Sequence, residues 1–145
     1  MQRGKLSLSY REATARDLSN LKVALLLPCL NEELTLAKVI QEFRAEIPHL
    51  DIYVFDNGST DRSREIAFEQ KAKVVVVPRK GKGNVVRRMF ELVEADLYIM
   101  VDSDGTYDPK GVWKLLAPVL SGEAEMTVGS RVASSSGAYR RFHQL

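Results

Sequence analysis

Leu97-Tyr98-Ile99-Met100-Val101-Asp102-Ser103-Asp104-Gly105 is the stretch on which the reading of this chain turns. Its five apolar residues predict a buried strand, and the strand delivers two carboxylates, one residue apart, to its C-terminal end. In an open α/β sheet that end faces the crevice where ligands bind. Carboxylates spaced as Asp102 and Asp104 are can hold a hard dication, Mg²⁺ or Mn²⁺, leaving other coordination positions to phosphate oxygens and water. A dication so placed stabilises charge on a departing diphosphate. The pattern points to chemistry on a nucleotide-activated donor.

Outward from that strand, apolar runs alternate with segments of helical period. Val23–Leu27, Ile52–Phe55 and Val74–Val77 predict three further strands, and Met126–Val128 a short fifth. Helices are predicted over Glu32–Glu46, Ser59–Gln70, Asn84–Glu94 and Pro109–Leu120. Strands alternating with helices imply βαβ units and a mostly parallel sheet. The expected fold class is α/β, a three-layer, Rossmann-like open sheet.

Polar residues collect where these strands end. Pro28-Cys29-Leu30-Asn31-Glu32 follows the first strand and Asp56-Asn57-Gly58-Ser59-Thr60-Asp61 the second. Pro78-Arg79-Lys80-Gly81-Lys82-Gly83-Asn84 follows the third. With Asp102 to Gly105, all four clusters fall on one rim of the sheet. Asn57, Gly58, Ser59 and Asp61 suit a turn by their backbone preferences. Asp56, at a strand exit, is placed to accept hydrogen bonds from a base or ribose. Arg79, Lys80 and Lys82 put cations opposite the carboxylates, and the helix after Gly83 adds N–H donors for a phosphate.

Competing readings of the motifs are weaker. A calcium loop starting at Asp102 would need Asp or Asn fifth, Gly sixth and Glu twelfth; Thr106, Tyr107 and Trp113 stand there. Asp108 before Pro109 reads as a helix N-cap. Cys29 reads as a small buried side chain, His49 and His143 as isolated, and Trp113 as packing.

At 145 residues the chain is long enough to bury its own core. A tail is expected over residues 1–20 and one domain over residues 21–145. The formal charge of +2 gives no argument for nucleic acid. No run approaches the ~18 apolar residues of a membrane span. One cysteine permits a reducing compartment. The expectation is a cytoplasmic chain, at most resting on the cytoplasmic face of a membrane.

Assembled in order, P-C-L-N-E, D-N-G-S-T-D, G-K-G-N, D-S-D-G-T-Y and Gly129-Ser130-Arg131 resemble glycosyltransferase family 2 over about Lys22 to Arg131. These are inverting enzymes of the A-type nucleotide-sugar transferase fold, and the pattern is similar to dolichol- and polyprenyl-phosphate hexose synthases. The resemblance implies a UDP- or GDP-sugar donor, with Pro28, Asn31 and Glu32 lining the nucleoside pocket and Asp56 touching base or ribose. It sets the Gly81-Lys82-Gly83 turn beside the donor's phosphates and Asp102-Ser103-Asp104 at the metal and ribose. Arg131 is implied to hold the donor or a phosphorylated acceptor, plausibly a lipid phosphate or glycan. Asn57 stands where the family often has a second aspartate, and Thr106 where many lipid-phosphate mannosyl transferases have glutamine. Because family members extend past Gly-Ser-Arg with acceptor-side residues, a donor-binding portion is expected here. The alternatives are a non-catalytic nucleotide-sugar-binding module and a sugar nucleotidyltransferase, whose glycine-rich loop would follow the first strand.

Overall fold

Strand β1 (Val23–Cys29) organises the sheet, being almost wholly buried and paired on both sides. A computed structural model describes residues 18–130. In it β1 pairs in parallel with β2 (Asp51–Asp56) and β4 (Leu97–Met100), and β3 (Lys73–Val76) lies beyond β2. The order is β3-β2-β1-β4. A strand covered on both faces must be apolar at every position, which explains the continuous Val23–Leu27 run.

Alternation along β1 divides the core in two. Val23, Leu25 and Leu27 pack with Leu36, Val39, Ile40 and Phe43 of helix α1 (Leu36–Glu46), Ala67 of α2 (Ser63–Glu69), and Val112 and Leu116 of α4 (Val112–Leu120). Ala24 and Leu26 face the other way, toward Val85 and Met89 of α3 (Lys82–Leu92). The result is three layers, with helices on both faces of a parallel sheet. A 3₁₀ turn, Pro109–Gly111, leads into α4, and Asp108 caps it by accepting from the Lys110 N–H.

The chain winds outward from β1 to β3 and then returns to β1's other side as β4. The strand order reverses there, so the crevice at the C-terminal ends of β1 and β4 is the expected ligand position for this topology. Asp102 and Asp104 emerge at that crevice.

Two expectations need correction. Met126–Val128 forms no strand; it is exposed and lines an apolar groove of about 590 Å³ along the outer edge of β4, with no partner strand among the described residues. Leu18, assigned to the tail, is fully buried in the core, and its carbonyl lies 3.0 Å from Nε2 of His49. A lone leucine in a polar stretch gives no periodicity to mark it as core. Residues 1–17, like Arg131 and His143, lie outside the described residues.

Candidate functional site

The loop after β4 is built around its middle residue. Ser103 is buried and donates from Oγ to the Pro28 carbonyl at 2.8 Å, while the Thr35 hydroxyl donates to the Ser103 carbonyl at 2.6 Å. These bonds tie the loop to the end of β1 and the start of α1. With Ser103 turned inward, its two acidic neighbours keep partial exposure. Ser103, expected among the donor contacts, turns its hydroxyl inward and pins the pair. Asp104 Oδ1 accepts from the Thr106 N–H and hydroxyl at 3.1 and 2.7 Å, closing a tight turn through Gly105 at φ +74°.

Lys82 meets this loop from across the crevice, its Nζ lying 2.6 Å from Asp102 Oδ1. The residue occupies the first turn of α3, where a cation opposes the helix dipole. No acidic residue in that turn offsets it, and Asp102 supplies the opposite charge from another element. The helix starts two residues before its predicted position, so Gly83 is helical and Gly81 forms the entrance. Gly81 stands at φ +119°, ψ 137°, outside the range side chains accept readily. Arg79 and Lys80 are exposed and form no ion pair with a described residue.

The loops after β1 and β2 are fastened to each other. The N–H groups of Asn31, Glu32 and Glu33 donate to Ser59 Oγ, Ser63 Oγ and Asp61 Oδ2 at 2.9, 2.9 and 3.1 Å. In return Asn31 Oδ1 accepts the Thr60 N–H at 2.8 Å, and Glu33 accepts the Arg62 N–H at 3.1 Å. Asn31 reaches this position at φ +53°, a conformation asparagine tolerates. These bonds delay α1 to Leu36 and α2 to Ser63, each four residues after its predicted start. They also occupy the amides that a phosphate-cradling loop after β1 would need, which disfavours the nucleotidyltransferase alternative.

Asp56 is completely buried at the end of β2. Its carboxylate accepts Arg64 Nε–H at 2.6 Å and the N–H groups of Gly58 and Ser59 at 3.3 Å. Burial opposes its ionisation, but hydrogen bonds from Ser59 and Arg64 outweigh that and hold the carboxyl below the usual range. Cys29 beside it is buried, and burial raises its thiol pKa.

Glu32, Asp102, Asp104 and Lys82 thus share one end of the crevice, while Asp56 and Asn31 are largely engaged by neighbouring loops. Sequence reading missed Thr35, Arg64 and the reach of Asn57. Their roles depend on partners 8 to 68 positions away. No local motif marks such pairs.

The rim suits a dication. Burial, then the negative charges of Asp104, Asp102 and Asp61, raise the pKa of Glu32, a sign of the accumulated negative potential. Among the described residues no cluster of three or more acidic, His or Cys ligands forms a closed cage. Hard cations that work beside phosphates need only one or two protein carboxylates, the phosphates supplying further oxygens. Asp102 and Asp104 meet that requirement.

The model of the family described as glycosyl transferase family 2 matches residues 24–145. Protein RfbJ of Shigella flexneri is 45% identical over 123 residues, covering 84% of this chain and 95% of RfbJ. Glycosyltransferase AglJ of Haloferax volcanii is 38% identical over 125 residues, which are 85% of this chain and 41% of AglJ. The crystal structure of glucosyl-3-phosphoglycerate synthase from Mycobacterium tuberculosis with Mn²⁺ and UDP-glucose superposes with a TM-score of 0.68 at 31% identity. That match covers 78% of this chain and 44% of the synthase, so the chain spans less than half of both AglJ and the synthase. Among the described residues, no helix is long and apolar enough to cross a membrane.

Proposed function

The chain belongs to glycosyl transferase family 2, and on that premise we propose that it binds a UDP- or GDP-linked sugar for inverting transfer of a hexose. The observation that carries this reading is the meeting of Lys82 with Asp102, 2.6 Å apart, at the crevice where the strand order reverses. Neutralising both a carboxylate pair and a diphosphate requires positive charge from two sources. Lys82 and the N-terminus of α3 provide one on this chain.

Asp102 and Asp104 would hold Mg²⁺ or Mn²⁺, as the M. tuberculosis synthase was crystallised with Mn²⁺ and UDP-glucose. When bound, the dication supplies stabilisation for negative charge on the leaving diphosphate. Lys82 adds a preorganised positive charge beside the same oxygens, and the N–H groups of Lys82 and Gly83 at the start of α3 would be donors for them. Pro28 and Glu32 border the nucleoside side of the crevice, with Asp56 as its floor. The acceptor oxygen attacks the anomeric carbon from the face opposite the diphosphate, and positioning the two in line lowers the barrier. An anionic acceptor such as a lipid phosphate needs no general base. Arg131 remains a proposed contact to donor or acceptor.

A second reading keeps the donor site without turnover. Both readings require donor binding. Calorimetric titration with UDP, GDP and their sugars, with and without Mn²⁺, is expected to show metal-dependent binding that Asp104→Ala abolishes while leaving the fold intact. Unchanged affinity in that variant sinks the metal role. Transfer of radiolabelled sugar to polyprenyl phosphate favours the enzyme; donor binding without transfer favours the module.

A further inference from the structure

We propose that Asn57 is a positioning residue for the donor's diphosphate, acting through the loop that carries Lys82. This rests on the donor-binding reading above. Asn57 extends the end of β2, its own N–H donating to the Cys29 carbonyl at 2.9 Å. Its side chain is buried and reaches across to the loop after β3. Nδ2 donates to the carbonyls of Val77 and Arg79, and Oδ1 accepts the Gly81 N–H, all at 3.0 Å.

The match is one of type as well as distance. A primary amide offers two donors and one acceptor, and the loop presents two acceptors and one donor. Asn84 fills the next place, donating from Nδ2 to the Lys80 carbonyl at 2.9 Å. The backbone from Val77 to Gly81 is thereby held by two side-chain amides, one from the end of β2 and one from α3. Pro78, Arg79, Lys80 and Gly81 are exposed, whereas Val77 is buried and its carbonyl takes its bond from Asn57 in the interior. The one buried amide thus satisfies the Val77 carbonyl and also fixes the conformation of the exposed turn beyond it. The conformation fixed is the glycine-only entrance to α3, one residue before the lysine that meets Asp102.

The asparagine is therefore a device for shaping this loop, in addition to a turn former.

The test compares the whole 145-residue chain with Asn57→Ala, which removes all three side-chain bonds, using UDP with Mg²⁺ and uridine as probes, and GDP and guanosine in parallel. The variant is expected to bind the nucleoside diphosphate at least tenfold more weakly while nucleoside affinity stays within twofold. Lys82→Met is the partner in a double-mutant cycle. If Asn57 acts through Lys82, the double variant is no weaker than Lys82→Met alone; additive losses overturn the proposal. Should Asn57→Ala not fold, the unmodified protein still decides. Its Asn57 side-chain ¹H–¹⁵N resonances are expected to move on adding UDP with Mg²⁺ and to ignore uridine, and resonances blind to UDP overturn the role. No binding of either nucleoside diphosphate by the unmodified chain sinks the donor reading itself. Unimpaired binding by the variant sinks only Asn57's part in it.

Discussion

Strands β2 and β4 leave the sheet in nearly the same words, Asp56-Asn57-Gly58 and Asp102-Ser103-Asp104-Gly105, on either side of β1. Their carboxylates nevertheless face different tasks. Asp56 is completely buried and closed on the protein's own donors, Arg64 and two backbone N–H groups. Asp102 and Asp104 keep partial exposure because Ser103 between them takes the inward position. A carboxylate saturated by its own chain acts chiefly as a fastener. One that stays partly exposed beside a lysine is, on the reading proposed above, a handle for a ligand.

The largest effect expected from this contrast is on stability. Asp56→Ala strands the Arg64 guanidinium and two N–H groups, costing about 2–3 kcal/mol in urea unfolding. Asp104→Ala, at a partly exposed turn, should change stability by about 0.5 kcal/mol or less. Equal costs would erase the distinction.

Acid sharpens the same contrast. Asp56's folded pKa lies below its unfolded value, so its contribution is fully present above about pH 4 and fades as pH falls through the folded pKa. The melting temperature of the wild type should therefore drop below about pH 4. Asp56→Asn should show a shallower drop from a lower start, and a parallel curve would break the assignment.

Next is Lys82→Met, which removes an exposed ion pair worth at most about 1 kcal/mol to the fold. Its cost should appear in binding, as roughly tenfold weaker affinity for UDP with Mn²⁺. A variant that melts early but binds normally would make Lys82 a structural residue. A modest effect is expected for Arg64→Met, at about 1 kcal/mol, because the guanidinium is 43% exposed and water can partly replace it. The Asp56 carboxyl should titrate at higher pH in that variant, which NMR of the carboxyl carbon would register.

Much of this was legible in one dimension. The apolar runs located all four strands of the described sheet because a parallel strand buried on both faces cannot hide its composition. Asp108 read correctly as a cap since N-capping is a local interaction with a local signature. The starts of α1 and α2 were misplaced by four residues because their amides bond to side chains of the neighbouring loop, 28 to 31 positions away. Met126–Val128 has strand composition but no strand neighbour among the described residues, and a ladder needs two sides.

The sequence by itself determined which residues reach the rim, since strand polarity and βαβ connection send every loop after a strand to the same side. Tertiary structure alone decided what each residue does there. Whether Asp56 serves as floor or contact, whether Asn57 ends a turn or braces a lysine, depends on hydrogen-bond partners brought close by β1. Those partners lie 8 to 24 residues off, and burial, set only by the finished packing, fixes how strongly each charge is felt.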